Sequence, residues 1–296
     1  MASASSDANN LDDQSLVATI VPELYIKAHQ LQRAINVKAL DLLELSFASA
    51  NDASQQILDV GCGTGDFTRQ DLLPRCEPCR RIVATDASPA MVEYARENFP
   101  HEKIAYELHD IESDVSRLVE KYGKFERVYS FFALNWAEDL AAAVRNVADL
   151  MTEDGECLLV VSARICLYRI WRRIVEMDRW KEYKNVVERF IPQSQDIKDR
   201  PGLTSYMLGV LQEANLKPRT CKVITQDACS MDRDEFIQLQ LSLNPIMPLL
   251  SEESKTTLKR DVTEVALKFL SEKPTGDPQY LSDVFVVHAT KISNEA

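Results

Sequence analysis

Three glycines at alternate positions are the first residues in this chain whose types and spacing suggest chemistry. Gly61, Gly63 and Gly65 supply three of the eight glycines in 296 residues, and they follow an apolar run directly. Glycine permits a tight bend and lets a bound molecule approach the main chain, as in dinucleotide-binding turns. A turn of this kind is weak evidence alone, but it predicts a ligand site between a strand and a helix.

Carboxylates at the ends of three predicted strands narrow the class of ligand. Asp59 directly precedes the glycine turn, Asp86 ends the next apolar run, and Asp110 ends the third. Asp59 would repel a diphosphate over the turn, whereas Asp86 could accept hydrogen bonds from both hydroxyls of a ribose. A cationic nucleoside without phosphate fits better, and S-adenosylmethionine is one. Asp110 would then take the adenine amino group, with Ile111 packing on the ring.

These carboxylates depend on strands and helices that alternate along the chain, a pattern typical of parallel sheets covered on both faces. We predict an α/β fold with a Rossmann-like, seven-stranded, mostly parallel sheet. The predicted strands are 56–60, 81–85, 104–108, 127–132, 156–162, 221–225 and 284–289. The predicted helices are one or two within 23–47, then 67–73, 89–98, 115–121, 139–151, 203–214, 234–243 and 252–270.

One domain is expected to account for most of the length. Residues 1–15 are small and polar, which predicts a disordered tail, and residues 16–296 show no internal repeat and no long linker. Helical insertions near 164–200 and 232–272 are predicted to form an apolar cap over the site. The arginines within 164–190 have two compatible explanations, because they could solvate an amphipathic helix or lie at the rim of a pocket.

An excess of acidic side chains bears on the possible partners. The chain has 34 Lys and Arg against 46 Asp and Glu, a net charge of −12. Because acidic surfaces repel phosphate backbones, we expect a small-molecule substrate and no nucleic acid.

No segment reaches the roughly 20 apolar residues of a membrane helix. Seven cysteines without a framework pattern, and no signal peptide, favour a cytoplasmic location. Cys76 and Cys79 lack a second pair at zinc spacing, so no metal is expected.

Together these segments resemble class I S-adenosylmethionine-dependent methyltransferases. The resemblance rests on residues 59–65, on residues 86–91 and on Asp110. It implies S-adenosylmethionine as cofactor and the following cofactor-binding residues: Asp59, Gly61, Gly63, Thr64, Gly65, Asp86, Ala87, Asp110 and Ile111. A glycine turn with incidental acids and a nicotinamide-dependent oxidoreductase are the alternatives.

A second resemblance concerns the methyl acceptor. The segment 24–32, and Trp136 after the fourth strand, are similar to juvenile hormone acid methyltransferases of arthropods, which methylate the carboxylate of farnesoic or juvenile hormone acid. In that family a glutamine and a tryptophan engage the carboxylate, so the resemblance gives these roles to Gln32 and Trp136 as N–H donors. The chain departs from the family pattern near His29 and at Asn135, where asparagine and histidine are expected.

The predicted function is therefore a carboxyl O-methyltransferase for a small hydrophobic acid. A carboxylate is ionised near neutral pH and needs no general base, and neutral donors orient it without holding the charge that the reaction consumes. Ordinary packing of Trp136 and solvation of Gln32 are the alternatives at those positions. Two other functions stay open: methylation of an amine, phenol or polar acid, with His109 as acid or base, and cofactor binding without catalysis.

Overall fold

Seven strands form one twisted sheet that runs through the described part of the chain. A computed structural model describes residues 20–43, 47, 50–226, 232–272 and 282–292; the predicted tail at 1–15 lies outside the described residues. The strands are β1 (Gln56–Val60), β2 (Arg81–Asp86), β3 (Ile104–Leu108), β4 (Phe125–Phe131), β5 (Met151–Arg164), β6 (Leu216–Gln226) and β7 (Ser282–Lys291).

The order of the strands is β3-β2-β1-β4-β5-β7-β6. Strands β1 to β5 pair in parallel, and β7 runs antiparallel to both β5 and β6. The predicted Rossmann-like, seven-stranded, mostly parallel sheet is thus confirmed. Its order reverses direction at β1, with β2 on one side and β4 on the other, and such a reversal opens a crevice at the carboxyl ends of the strands.

Helices connect the strands and cover both faces of the sheet. They are α1 (Pro22–Ala28), α2 (Gln30–Leu43), α3 (Leu73–Cys76), α4 (Pro89–Asn98), α5 (Ser116–Tyr122), α6 (Leu140–Leu150), α7 (Cys166–Val175), α8 (Lys184–Arg189), α9 (Arg200–Glu213), α10 (Arg233–Ser242) and α11 (Glu252–Ser271). Several begin at a residue whose side chain accepts a free N–H of the first turn, namely Ser88, Asp139, Asp199, Asp232 and Ser251.

The core lies on both faces of the sheet because side chains alternate along each strand. In β1, Leu58 and Val60 join a buried cluster that includes residues of α6 and α9, whereas Ile57 joins a second cluster that includes residues of α2. All five residues of β1 are buried. The strand that leads into the glycine turn is therefore held from both sides.

A third buried cluster forms the cap. It joins apolar side chains of α7, α8, α10 and α11, with Trp171 fully buried among them. Arg172 pairs with Glu188 and Asp196, and Arg173 pairs with Glu272. These ion pairs lie within the cap, and no arginine in the described ranges lines the pocket below it.

Two absences among the described residues concern membrane-spanning helices and metal sites. No helix there is long and apolar enough to cross a membrane. The same residues contain no grouping of three or more His, Cys, Asp and Glu side chains that could hold a metal ion. Cys76 and Cys79 are buried free thiols.

Candidate functional site

A pocket opens at the carboxyl ends of the parallel strands, beneath the cap. It encloses about 1220 Å³, counting the part that is open to solvent. The ends of β1 to β4 supply its floor, α1 and α2 one wall, and the segment around Leu243 and Met247 another. Eight of the eleven predicted site residues line it: Gln32, Gly61, Gly63, Asp86, Ala87, Asp110, Ile111 and Trp136.

The glycine turn forms part of the floor, and Gly61 has no room for a side chain. Its φ is +77°, and a Cβ there would lie 2.0 Å from the Cβ of Ala133. The N–H of Gly61 donates to the carbonyl of Thr85 at 2.7 Å, which ties the turn to β2. Gly61 is thus required by both its backbone conformation and the close approach of the segment after β4.

Asp86 is fixed at the end of β2 by two backbone donors. Its Oδ2 accepts from the N–H of Gly63 and its Oδ1 accepts from the N–H of Ser88, each at 2.9 Å. Burial is the main cause that raises the pKa of Asp86, and the charge of Asp110 adds to it. Each oxygen keeps a second lone pair, so two hydroxyl groups of a ribose could donate to this carboxylate.

The segment after β3 forms the adjoining part of the wall. The Oδ1 of Asp110 accepts from the N–H of Glu112 at 2.9 Å, and Ile111 lies beside it on the pocket. His109 also lines the pocket, and its Nε2 has no hydrogen-bond partner among the described residues. Burial lowers the pKa of His109, more than the neighbouring carboxylates raise it. Its imidazole is therefore neutral near pH 7.

Three of the predicted cofactor residues lie behind the pocket wall. The Oδ2 of Asp59 accepts from the Thr68 hydroxyl at 2.6 Å, and the residue is only 2% exposed. Thr64 donates its hydroxyl to Asp66 at 2.6 Å. A Cβ on Gly65 would lie 2.7 Å from the Cβ of Ala95 in α4. The structure gives these three residues contacts that shape the turn, and it does not bring them to the pocket surface.

Gln32 and Trp136 line the same pocket although they lie far apart in the sequence. Gln32 lies in α2, and Trp136 ends a short 3₁₀ turn, Leu134–Trp136, after β4. The Trp136 ring is held by Phe190 at 5.6 Å and Trp171 at 6.5 Å between ring centroids. Between β4 and this turn Phe132 has a φ of +55°, and such strain in a bulky residue is found mainly at functional sites.

Several residues of the site were missed by the sequence analysis. Tyr25 lines the pocket, and its Cε1 lies 3.5 Å from where a Cβ on Gly63 would be. His29 and Arg33 both contact Asp66, which directly follows the glycine turn. The only available signal was the Leu-Tyr dipeptide that begins the segment resembling the juvenile hormone acid enzymes. Contacts between residues more than 30 positions apart carry no local pattern.

The sequence profile described as "Methyltransferase domain" matches residues 57–155. The matched range contains the glycine turn, Asp86 and Asp110, and it ends within β5. Residues 57–155 belong to a methyltransferase domain. The strand order agrees with class I methyltransferases, whose cofactor is S-adenosylmethionine, and this match favours that class over the nicotinamide alternative.

Two insect juvenile hormone acid O-methyltransferases are similar in sequence to this chain. Juvenile hormone acid O-methyltransferase of Bombyx mori is 28% identical over 181 residues, which is 60% of this chain and 63% of that protein. The enzyme of the same name from Drosophila melanogaster is 32% identical over 171 residues, 57% of each chain. The matched part of this chain thus spans less than two thirds of either relative.

A solved structure shares the fold. Coclaurine N-methyltransferase, bound to N-methylheliamine and S-adenosylhomocysteine, superposes with a TM-score of 0.53 over 86% of this chain and 72% of its own. The two sequences are 16% identical. At this identity the likeness shows the architecture of the methyltransferase domain and nothing about the acceptor.

The residues of the pocket fit the cofactor of the domain. Gly61 and Gly63 leave room for a ligand against the backbone, the Asp86 carboxylate suits two ribose hydroxyls, and Asp110 with Ile111 suits an adenine ring. No Lys or Arg stands among the described residues that line the pocket, as expected for a ligand that is cationic and carries no phosphate. We assign the cofactor contacts to these five residues as a prediction.

We expect the Asp59→Asn variant of the domain to gain stability over the parent protein as the pH rises. Burial raises the pKa of Asp59 to about 7 from its ordinary value of 3.8, against the Thr68 hydrogen bond. An acid whose folded pKa is raised stabilises the fold below pH 3.8, and this contribution is lost as the pH rises through 7.

The difference between the two proteins should therefore grow by up to about 4 kcal/mol between pH 4 and pH 8. Urea unfolding of both proteins, without cofactor, at several pH values measures it. Parallel pH dependences would show that Asp59 is ionised at no cost in its buried position.

Proposed function

We propose that this protein transfers a methyl group from S-adenosylmethionine to the carboxylate of a small hydrophobic acid and so forms a methyl ester. The observation that carries the proposal is that Gln32 and Trp136 line the same pocket as Asp86 and Asp110. The names of the two insect relatives support it, because those enzymes methylate an acid of this class.

The chemistry of the acceptor agrees with the residues of the pocket. S-adenosylmethionine supplies an electrophilic methyl group on a sulfonium sulfur. A carboxylate oxygen of the acid takes the methyl group, the electron pair of the broken carbon–sulfur bond stays on sulfur, and no proton is transferred. The protein therefore has to orient the oxygen and exclude water, and it needs no base.

The donors available for orientation are neutral. The Trp136 indole N–H and the Gln32 amide N–H can hold a carboxylate, and no Lys or Arg in the described part of the pocket wall competes with them. A fixed cation would stabilise the anionic ground state more than the transition state, in which the negative charge is being lost. A site with neutral donors is therefore suited to esterification.

Most of the wall on the side of α1 and the cap is apolar. Leu24, Phe190, Leu243, Pro245 and Met247 line the pocket on the side of α1 and the cap. An extended hydrocarbon chain could bury its surface there, at roughly 25 cal/mol for each Å² removed from water. The same residues would exclude water from the reacting carboxylate.

The proposal is tested by incubating the purified protein with methyl-labelled S-adenosylmethionine and a panel of acceptors. Farnesoic acid and long-chain fatty acids represent the proposed class, and short dicarboxylic acids represent polar acids. We expect label in the esters of the hydrophobic acids and little in the polar esters. Failure to label any hydrophobic acid, in a protein that binds S-adenosylhomocysteine, would refute the proposal.

A second candidate is methylation of an amine or phenol, and His109 is the observation that favours it. The lowered pKa of His109, a pocket-lining residue, gives the pocket a neutral imidazole that could remove a proton from such an acceptor. Hydrophobic amines and phenols in the same panel separate the two functions. Labelling of these acceptors in preference to the acids would favour the second.

A further inference from the structure

A cluster of charged side chains joins the first two helices to the glycine turn. The Nε2 of His29 and the guanidinium of Arg33 each lie 3.0 Å from Oδ2 of Asp66. The second oxygen, Oδ1, accepts from the Thr64 hydroxyl at 2.6 Å. His29 and Asp66 are each only 4% exposed. Both oxygens of this buried carboxylate are therefore used, and two of its three partners come from the N-terminal segment.

The surroundings of His29 require both ring nitrogens to donate. Its Nδ1 lies 3.0 Å from the carbonyl oxygen of Tyr25, which can only accept, and its Nε2 lies 3.0 Å from the carboxylate of Asp66. A neutral imidazole has one N–H and would direct a lone pair at one of these two oxygens. The imidazolium, with two N–H groups, is the form that satisfies both contacts.

The charged groups around the pair agree with this form. Burial acts to lower the pKa of His29, but the hydrogen bond and charge of Asp66 outweigh it, so the pKa of His29 lies above its ordinary value. Arg33 opposes the shift, and the Tyr25 carbonyl adds to it. Burial likewise acts to raise the pKa of Asp66, but hydrogen bonds from His29 and Thr64 keep it below its ordinary value.

The position of His29 links this pair to the pocket. His29 lies at the junction of α1 and α2, and its ring stacks on Tyr25 with centroids 4.9 Å apart and planes at 14°. Tyr25 in turn covers Gly63 and lines the pocket, and Gln32 lies one helical turn after His29. Helix α1 also contacts α4 of the domain and α10 of the cap. The His29–Asp66 pair, with Arg33 beside it, therefore ties to the glycine turn the segment that supplies Leu24, Tyr25 and Gln32 to the pocket.

We propose that His29, as an imidazolium paired with Asp66, is a positioning residue that holds α1 and α2 closed over the glycine turn and keeps Tyr25 and Gln32 at the pocket. The part that concerns Gln32 rests on the proposed function; the closure of the segment over the cofactor site does not. The closed arrangement is stable below pH 6.5, the ordinary pKa of histidine, and weakens as the pH rises through the higher folded value.

The protonation of His29 can be measured directly. Nitrogen-15 NMR correlations of the four histidine rings, with His29 assigned by its loss in His29→Gln, should show two N–H groups on His29 at pH 7 and a pKa above 6.5. Asp66→Asn should bring that pKa down to 6.5 or below. A ring with one N–H at pH 6, or a pKa that Asp66→Asn leaves unchanged, would overturn the proposal.

The closure is tested by cofactor affinity, which requires no acceptor. We expect the affinity of the parent protein for S-adenosylhomocysteine to fall about tenfold more between pH 6 and pH 8.5 than that of His29→Gln, whose amide donates to Asp66 without titrating. Because S-adenosylhomocysteine titrates equally in both experiments, the difference between the parent protein and His29→Gln reports only on the protein. His101→Gln, which changes a histidine that does not line the pocket, should follow the parent profile.

Hydrogen exchange then locates the change. The protection factors of the amides in residues 22–43, which correct for the intrinsic rate, should be lower at pH 8.5 than at pH 6. Those of β1 and β2 should not change. His29→Gln should abolish this local difference. If His29→Gln keeps the parent pH profile in affinity and in exchange, the proposal fails. A failure of acid methylation would leave both measurements unaffected, so the two proposals fail independently.

Discussion

Gly61→Ala is expected to destabilise the fold by about 3 kcal/mol or more and to abolish detectable binding of S-adenosylhomocysteine. About 1 kcal/mol comes from an alanine forced to a φ of +77°. The larger part comes from its Cβ, which would lie 2.0 Å from the Cβ of Ala133, so the backbone of the turn or of the segment after β4 must move. That movement displaces the floor of the pocket.

Two further variants separate the conformational cost from the clash. Gly123 also has a positive φ of +81°, with a ψ of −167° that glycine adopts far more readily than alanine, but a Cβ there meets nothing within 4 Å. Gly123→Ala should therefore cost about 1–3 kcal/mol from backbone strain alone and leave cofactor binding intact. Ala133→Gly removes the atom that clashes, and combined with Gly61→Ala it should restore part of both stability and binding. Urea unfolding and calorimetric titration measure these effects. Normal cofactor binding by Gly61→Ala, or no rescue by Ala133→Gly, would contradict the close approach in the structure.

Trp136→Phe is expected to lower kcat for a hydrophobic acid by about tenfold to a hundredfold while the affinity for S-adenosylhomocysteine stays within about twofold. Phenylalanine keeps the aromatic contacts with Phe190 and Trp171 but lacks the indole N–H proposed to hold the carboxylate. The carboxylate would then bind in several orientations, of which few place an oxygen in line with the methyl group.

Trp171→Phe is the matched control for this prediction. The Trp171 indole packs against Trp136, does not line the pocket, and has no hydrogen-bond partner for its N–H among the described residues. Its replacement should cost stability through lost volume and leave kcat close to that of the parent protein. If Trp136→Phe lowered cofactor affinity and kcat together, Trp136 would be a packing residue and the assigned role would be wrong.

Much of the sheet could be predicted because its signals are local. The limits of β1, β3 and α4 agree with the sequence patterns to the residue, since each is an apolar or capped segment with clear ends. The predicted strand 127–132 differs from β4, which ends at Phe131, because Phe132 turns to a φ of +55°. Strand β5 begins at Met151, five residues earlier than predicted, because Met151 pairs with Phe125 across a register shift.

Site residues could be predicted where the ends of strands determine their positions. Those whose positions depend on tertiary contacts could not. Parallel strands end at one edge, so Asp86 and Asp110 had to approach each other. Asp59 also stands near a strand end, but its side chain points inward to Thr68 nine positions later, and no sequence pattern encodes that choice. The contact of His29 with Asp66 spans 37 positions and arises from the packing of α2 on the domain.

The position of β7 has a consequence for the order in which the protein can fold. In this sheet β6 (Leu216–Gln226) pairs with β7 alone, and β7 (Ser282–Lys291) lies between β5 and β6. During synthesis β6 leaves the ribosome more than 50 residues before its partner, which at about 5–20 residues per second is a delay of several seconds. Strands β1 to β5, with the glycine turn, are complete by then. Strands β1 to β5, which carry the cofactor site, can therefore form first. Strand β6 stays unpaired until β7 is synthesised and pairs with both β5 and β6.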